Sequence, residues 1–390
     1  MNKEKQKQRN KTHREGTPTI FHITKEFLKS RYKFRFNVIS KEYQVTEIGS
    51  ADWIPFNENT HYVELNENNI RCSMGNLLAI IKSGFTPEFN PIIDYFASLK
   101  TLRKNEKSYI KKLCSFIDSD HKEDFELQLR KWLVRAVRCA LHGDFYNKQA
   151  FILVGEKQNS GKSTLCRWLC PPTLSDYFAE DISDDKDSRI KLTTTFLINL
   201  DELSSLHKRE INSLKSLFSK EKIVDRIPYD KKNSVLIRTC SFIGSTNLSE
   251  FLTDETGSVR WICFKINSID WAYKKKINVN NIWREAYTLY LSNFDYKFNK
   301  EDMKSNEVRN QSYQLRSVEY EAVQKYFALP NKKFPGAFHT ATDATQLIMT
   351  YTTLRVSRVN IGKAITAIGF PKARKGDRHG YMMHFKKPIY

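Results

Sequence analysis

FILVGEKQNSGKSTLCRWLC, residues 151–170, sets four apolar residues before a polar, glycine-bearing loop and then resumes with apolar residues at helical spacing. Strand, loop and helix in that order are what a phosphate cradle needs, because backbone N–H groups at a helix N-terminus point at anionic oxygens. Within GEKQNSGKST (155–164), Lys162 is placed to reach the outer phosphates of a nucleotide and the Ser163 hydroxyl to ligate Mg²⁺. Lys157, Gln158, Asn159, Ser160, Gly161, Lys162, Ser163 and Thr164 are therefore the candidate ATP-binding residues. Five residues separate Gly155 from Gly161, one more than the usual phosphate-loop spacing. The loop is expected to bulge, which leaves the role of Gly155 open.

Outward from this loop, apolar strands alternate with helices. Residues 196–200 and 241–244 read as further buried strands, and 163–169 and 208–218 as helices, so the fold class is an α/β P-loop ATPase core, a parallel sheet with helices on both faces. TTFLINLDEL ends its apolar run in Asp201 and Glu202, where one carboxylate can hold Mg²⁺ and the next can polarise an attacking water. An Asp-Glu pair also opens many ordinary helices. CSFIGSTN (240–247) brings Asn247 to the same sheet edge, where a neutral amide can orient that water, or simply cap a turn. DETGSVRWICF places Arg260 after a glycine turn and before a buried strand. There it can project toward a neighbouring subunit's nucleotide and stabilise phosphoryl-transfer charge, or pair with Asp254 or Glu255. Between the acidic pair and Asn247, KIVDRIPYDKKNSVLIRTCSF reads as a β-hairpin with a basic tip, Asp230-Lys231-Lys232-Asn233.

This ordered set resembles the superfamily 3 helicases, a branch of the AAA+ ATPases, and specifically the virulence-associated protein E family of phages and mobile genetic elements. The resemblance is carried by GEKQNSGKST, INLDELSSLHKREINSLKSLFS, VDRIPYDKKN, FIGSTN and DETGSVRW in that order, over roughly residues 85–270 beginning at FNPIIDYFASL. It implies a ring-forming ATPase, commonly hexameric, that moves single-stranded DNA through a central pore and unwinds duplex with 3′ to 5′ polarity. Lys162 and Ser163 are then the Walker A pair, Asp201 and Glu202 the Walker B pair, with Ser163 and Asp201 on Mg²⁺. Asn247 is the sensor, Arg260 the finger, and Lys231 with Lys232 the pore hairpin. Many relatives carry a primase domain, but residues 16–100 hold no paired-carboxylate primase pattern, so priming is not expected here.

The 390 residues amount to two or three domains at ~150 residues each. A hydrophobic content of 40% excludes collagen-like and wholly disordered classes. Lys plus Arg outnumber Asp plus Glu by 64 to 44, a formal charge of +20, which points to a polyanionic partner because bound cations release counterions from phosphates. Seven scattered cysteines read as reduced buried thiols, and the Cys166–Cys170 spacing is a poor zinc signature. No signal-peptide pattern and no long apolar run are present, so a cytoplasmic protein without membrane contact is expected.

The sequence divides into a disordered basic arm (1–15), an N-terminal mixed α/β domain (16–100), a helical collar (101–149), the ATPase core (150–270), a helical segment (271–330) and a C-terminal module (331–390). That last module carries eleven cations against two carboxylates. TDATQLIMTY and RVSRVNIGKAITAIGF read as helices, and KARKGDRHG as the turn of a hairpin. Helix, helix and basic hairpin resembles a winged helix, which makes Arg358, Lys363, Arg374, Lys375 and Arg378 candidate DNA contacts. The leading expectation is a replicative DNA helicase using ATP and Mg²⁺, acting as a homo-hexamer on single-stranded DNA, with duplex DNA and a separately encoded primase or replication initiator as further partners. The alternative is an ATP-gated DNA-binding initiator or regulator without processive unwinding. A signalling or defence ATPase is disfavoured because no sensor or effector domain is evident.

Overall fold

The computed structural model describes residues 18–180, 182–183, 185–201, 203, 208–225, 234–252, 259–314, 317–353 and 355–386. The chain divides between Ser98 and Leu99 into two compact units. The basic arm assigned to residues 1–15 lies outside the described residues.

The first unit runs α1 (Ile20–Arg31), β1 (Tyr32–Asn37), β2 (Glu42–Glu47), β3 (Ile54–Pro55), α2 (Glu58–Glu67), α3 (Met74–Ile81), β4 (Glu88–Phe89) and α4 (Pro91–Ser98). Its sheet has the order β3-β2-β1-β4, with β1 antiparallel to β2 and parallel to β4. Alternation along β1 turns Phe34 into a core shared with Val45, Leu28, Leu65 and Leu77.

The second unit opens with α5 (Tyr109–Cys114), β5 (Ile117–Ser119), α6 (Lys122–Leu141), β6 (Ala150–Val154) and α7 (Lys162–Trp168). It continues through β7 (Phe178–Glu180), α8 (Lys186–Thr194), β8 (Leu197–Leu200), α9 (Lys208–Phe218), β9 (Lys222–Asp225), β10 (Ser234–Ile237), β11 (Ser241–Thr246) and β12 (Trp261–Ile269). The order β5-β12-β6-β11-β8-β7 forms one six-stranded sheet, parallel throughout except for β5 against β12. All five residues of β6 are buried, as a central parallel strand covered on both faces requires. Phe151 meets Phe125, Trp132 and Phe264 on one face, while Ile152 and Val154 join Leu214, Leu217 and Phe218 of α9 in the core on the other.

The collar departs from the all-helical expectation. β5 interrupts it and extends the main sheet through Ile117, Asp118 and Ser119 opposite Ile269, Ser268 and Ile266. A three-residue edge strand is too short to register as a period. α6 is buried without a break from Lys131 to Val137, so its Lys131 and Arg135 are interior cations rather than a solvated face. The expected hairpin is present as the antiparallel pair β9–β10, while its tip, with Lys231 and Lys232, lies outside the described residues.

The remainder comprises α10 (Tyr273–Lys276), α11 (Val279–Leu291), α12 (Lys300–Asn310), α13 (Val318–Tyr326), β13 (Phe327–Ala328), β14 (Ala337–His339), α14 (Ala341–Thr350), α15 (Arg358–Ile368), β15 (Lys372–Lys375) and β16 (Arg378–Phe385). Ile361 and Ile365 of α15 pack with Val323, Ala344, Ile348 and Met383 in a separate small core, against which β16 pairs with β13, β14 and β15. Among the described residues, no helix is long and apolar enough to cross a membrane.

Candidate functional site

Three parallel strands deliver the site. β6 runs into Gly155, β8 into Asp201 and β11 into Asn247. Pairing sets Val154 beside Thr246 and Leu200 beside Gly244, so the three carboxyl ends open on one edge of the sheet, where α/β folds hold ligands. A cavity of about 370 Å³ lies there, lined by the loop from Gln158 to Thr164 together with Arg167, Asp201, Ser245, Thr246 and Asn247.

The loop turns sharply before α7. Asn159 (φ 56°) and Gly161 (φ 87°) both adopt the left-handed conformation and turn the chain into α7. At Gly161 a side chain would also crowd the Trp271 ring, which lies 3.0 Å from where a Cβ would sit. Packing also settles the residue at 155: a Cβ there would stand 2.7 Å from the Ile266 carbonyl oxygen of β12.

Lys162 is 5% exposed, and its Nζ donates to the carbonyls of Gly155 (2.8 Å) and Lys157 (3.0 Å) and to Ser160 Oγ (2.8 Å). Burial draws the ammonium below its ordinary pKa, against a smaller opposing effect of Cys166. The buried Lys162 therefore keeps three acceptors close while it helps line the cavity. Lys157 enters through its carbonyl, with its side chain exposed.

Ser163 and Asp201 are joined through Ser245. Ser245 Oγ donates to Asp201 Oδ1 at 3.1 Å and stands 2.9 Å from Ser163 Oγ. A serine has one hydroxyl proton, so with Ser245's given to the carboxylate, Ser163 is the donor in the other bond and keeps its lone pairs for a cation. Asp201 Oδ2 accepts from Arg167 Nη2 at 2.5 Å, and Arg167 Nε donates to Glu180, the chief reason its guanidinium is held above its ordinary pKa. A hydroxyl and a carboxylate oxygen linked in this way form the hard oxygen set that Mg²⁺ takes beside phosphates, so Ser163 and Asp201 fit that ion.

Asn247 lines the same cavity. Arg260 does not. It precedes β12, and the backbone N–H of Ala150 at the start of β6 donates to its carbonyl at 2.8 Å. The five residues of β6 thus separate Arg260 from the loop by about 15 Å, and its Nε instead donates to Ser219 Oγ at 2.9 Å. Glu202 lies outside the described residues. The C-terminal cations gather elsewhere: Arg358 and Lys363 are exposed on α15, while Arg374, Lys375 and Arg378 flank the Gly376-Asp377 turn of the β15–β16 hairpin. Arg378 pairs with Asp343 at 3.4 Å.

Sequence reasoning missed Ser245, Arg167 and Trp271. Two of these had a signal. Arg167 follows Ser163 by four residues and so shares its helix face, and Ser245 stands two residues before Asn247 on the strand that leads into it. Nothing in DWAYKKK announces that Trp271 packs on Gly161.

The virulence-associated protein E-like domain model matches residues 99–315. No curated protein matches the chain. Among solved structures, an apo form of the NrS-1 C-terminal region is similar at 13% identity, covering 95% of this chain and all of that one, with a TM-score of 0.53. An A-form apo structure of the same region matches at 12% identity over 93% and 99% of the two chains (TM-score 0.51). The SCCmec type IV Cch active helicase matches at 12% identity over 90% and 92% (TM-score 0.39). With more than half of its length matched by that domain model, the chain belongs to the virulence-associated protein E-like family.

Proposed function

We propose that this protein is an ATP-dependent DNA helicase that works as a homo-hexamer, moves 3′ to 5′ on single-stranded DNA and serves replication of a phage or mobile element. The supporting observation is the meeting of Lys162, Ser163, Asp201 and Asn247 on one cavity at the carboxyl edge of a parallel sheet. ATP lies with its phosphates on the loop from Lys157 to Thr164. Ser163 and Asp201 would hold Mg²⁺, which would supply charge neutralisation at the transferring phosphoryl group. Lys162 draws the outer phosphates toward the loop, Glu202 orients and deprotonates the attacking water, and Asn247 holds that water in line. Arg260, on the opposite sheet edge, serves the cavity of the adjacent subunit. Lys231 and Lys232, between β9 and β10, grip the strand. The helix–helix–hairpin module is a winged helix whose Arg358, Lys363, Arg374, Lys375 and Arg378 hold duplex DNA at the fork.

The test compares ATP hydrolysis with and without single-stranded DNA, and unwinding of a forked duplex, for the wild type and Glu202→Gln. Strand-stimulated hydrolysis with unwinding, both lost in the variant, is expected. Hydrolysis indifferent to DNA, with no strand displaced, refutes the helicase and leaves the ATP-gated initiator.

A further inference from the structure

The stretches 100–112 and 270–276 carry nine cations against two carboxylates, and the fold brings them together. Arg284 of α11 donates to the Lys100 and Thr101 carbonyls, and Lys112 Nζ donates to the Lys276 carbonyl at 3.0 Å, so the first stretch lies against α11 and meets the second at Lys112. The acids nearby are already engaged. Glu106 is paired with Arg284 at 2.8 Å, Asp270 accepts from the Ala272 N–H, and the buried Glu285 accepts from Ser108 and from the N–H groups of Tyr109 and Ile110. Lys111, Lys112, Lys274, Lys275 and Lys276 are all exposed.

Beside this charge stands Trp271, 47% exposed. Its ring edge rests on Gly161 of the phosphate loop, and Lys274 Nζ lies 4.7 Å over its face. Two residues on, Tyr273 packs edge-on against Trp168 of α7 at 4.9 Å, which anchors the segment and holds the indole outward. A solvent-facing aromatic with Lys274 on its face and exposed Lys275 and Lys276 following on the same segment matches a strand that offers bases to stack and phosphates to pair. An acidic protein surface would use the lysines alone.

We propose that the surface formed by residues 100–112 and 271–276 binds single-stranded nucleic acid, with Trp271 as the base-stacking platform and Lys274, Lys275 and Lys276 on the phosphates. A stacked base displaces Lys274 from the ring face and frees its ammonium for the backbone. The site is separate from the β9–β10 hairpin and from the C-terminal hairpin. It requires no ATP, so its failure and the failure of the ATPase reading are distinguishable.

The test is fluorescence anisotropy of labelled oligo(dT) with the full chain, without nucleotide, across a salt series. Trp271→Ala and the triple variant Lys274→Ala, Lys275→Ala, Lys276→Ala are compared with the wild type, each checked for an unchanged melting curve. Trp271→Phe, which keeps a stacking ring, serves where Trp271→Ala fails to fold. Trp271→Ala should weaken binding about tenfold with the salt slope unchanged, and Trp271→Phe much less. The triple variant should lower the slope of log K against log salt by about 2. Unchanged affinity in folded Trp271→Ala and triple variants overturns the proposal. So does a loss confined to the triple variant in which polyglutamate displaces oligo(dT) as well as unlabelled DNA does, because that marks a surface for an acidic protein.

Discussion

Removing the hydroxyl of Ser245 tests whether Ser163 and Asp201 act as one metal-holding unit. Ser245 is 3% exposed and touches both residues, at 2.9 and 3.1 Å. Alanine in its place leaves the strand pairing of β11 intact, since that uses only backbone. What is lost is the bond that turns Ser163's proton away from the cavity and the donor that fixes Asp201 Oδ1. Outer partners of metal ligands are worth ~10–100-fold in metal affinity, or ~1.4–2.7 kcal/mol at tenfold per 1.4 kcal/mol. The cost to folding is smaller, about 1 kcal/mol for a single neutral hydrogen bond. ATP hydrolysis titrated against free Mg²⁺ at saturating ATP should therefore show its midpoint rise by about one to two decades, with thermal unfolding nearly unmoved. A midpoint equal to the wild type's would refute the relay and reduce Ser245 to a filler of the strand.

Arg260→Ala should bind nucleotide yet lose hydrolysis by ~10³-fold, and mixing it with Lys162→Ala should restore part of the rate, because each supplies what the other lacks. No recovery on mixing removes the role in trans. The buried Arg238 donates to the carbonyls of Asn147 (2.7 Å), Phe218 (2.8 Å) and Cys240 (3.1 Å), so Arg238→Met should destabilise the second unit by at least ~3 kcal/mol, read by denaturant unfolding. Asp302 is buried, which pushes its carboxyl pKa up, yet bonds from Lys131 (2.7 Å), the Asn299 N–H and Gln128 prevail and hold it below its ordinary 3.8. The unfolded carboxyl therefore takes its proton first as pH falls, so the stabilisation is complete above the unfolded value and is lost below it. Asp302→Asn should cost ~3–5 kcal/mol at neutral pH by stranding Lys131, and should flatten the acid limb of the stability curve.

The phosphate loop and the two strand-end motifs were legible because each couples a period to a break: four apolar residues and then Gly155, LINL and then Asp201, FIGST and then Asn247. A parallel strand buried on both faces reads as a largely apolar run, and the residue that follows its carboxyl end stands at the sheet edge. Position along the chain thus fixed position at the sheet edge. Interior cations were not legible. Lys131 and Arg135 carry the letters of a solvated face, and only the packing of α11 and α12 over α6 makes them buried donors to Asp302 and the Tyr296 carbonyl. Arg167 was hidden for a related reason, since its partners, Glu180 at the end of β7 and Asp201 just after β8, lie 13 and 34 residues away in the sequence.

The placement of Arg260 bears on assembly. The cavity opens at the carboxyl ends of β6, β8 and β11, whereas Arg260 stands at the amino end of β12, which runs parallel to them. A side chain on that far edge, about 15 Å away, does not reach its own subunit's phosphates. If Arg260 completes a catalytic site, the copy it serves must present its carboxyl edge to this chain's amino edge, a contact between two different surfaces. Repeating such a head-to-tail contact yields either a closed ring or an open filament. The restoration expected on mixing Arg260→Ala with Lys162→Ala therefore tests geometry as well as chemistry, because it requires the arginine of one copy to reach the cavity of another.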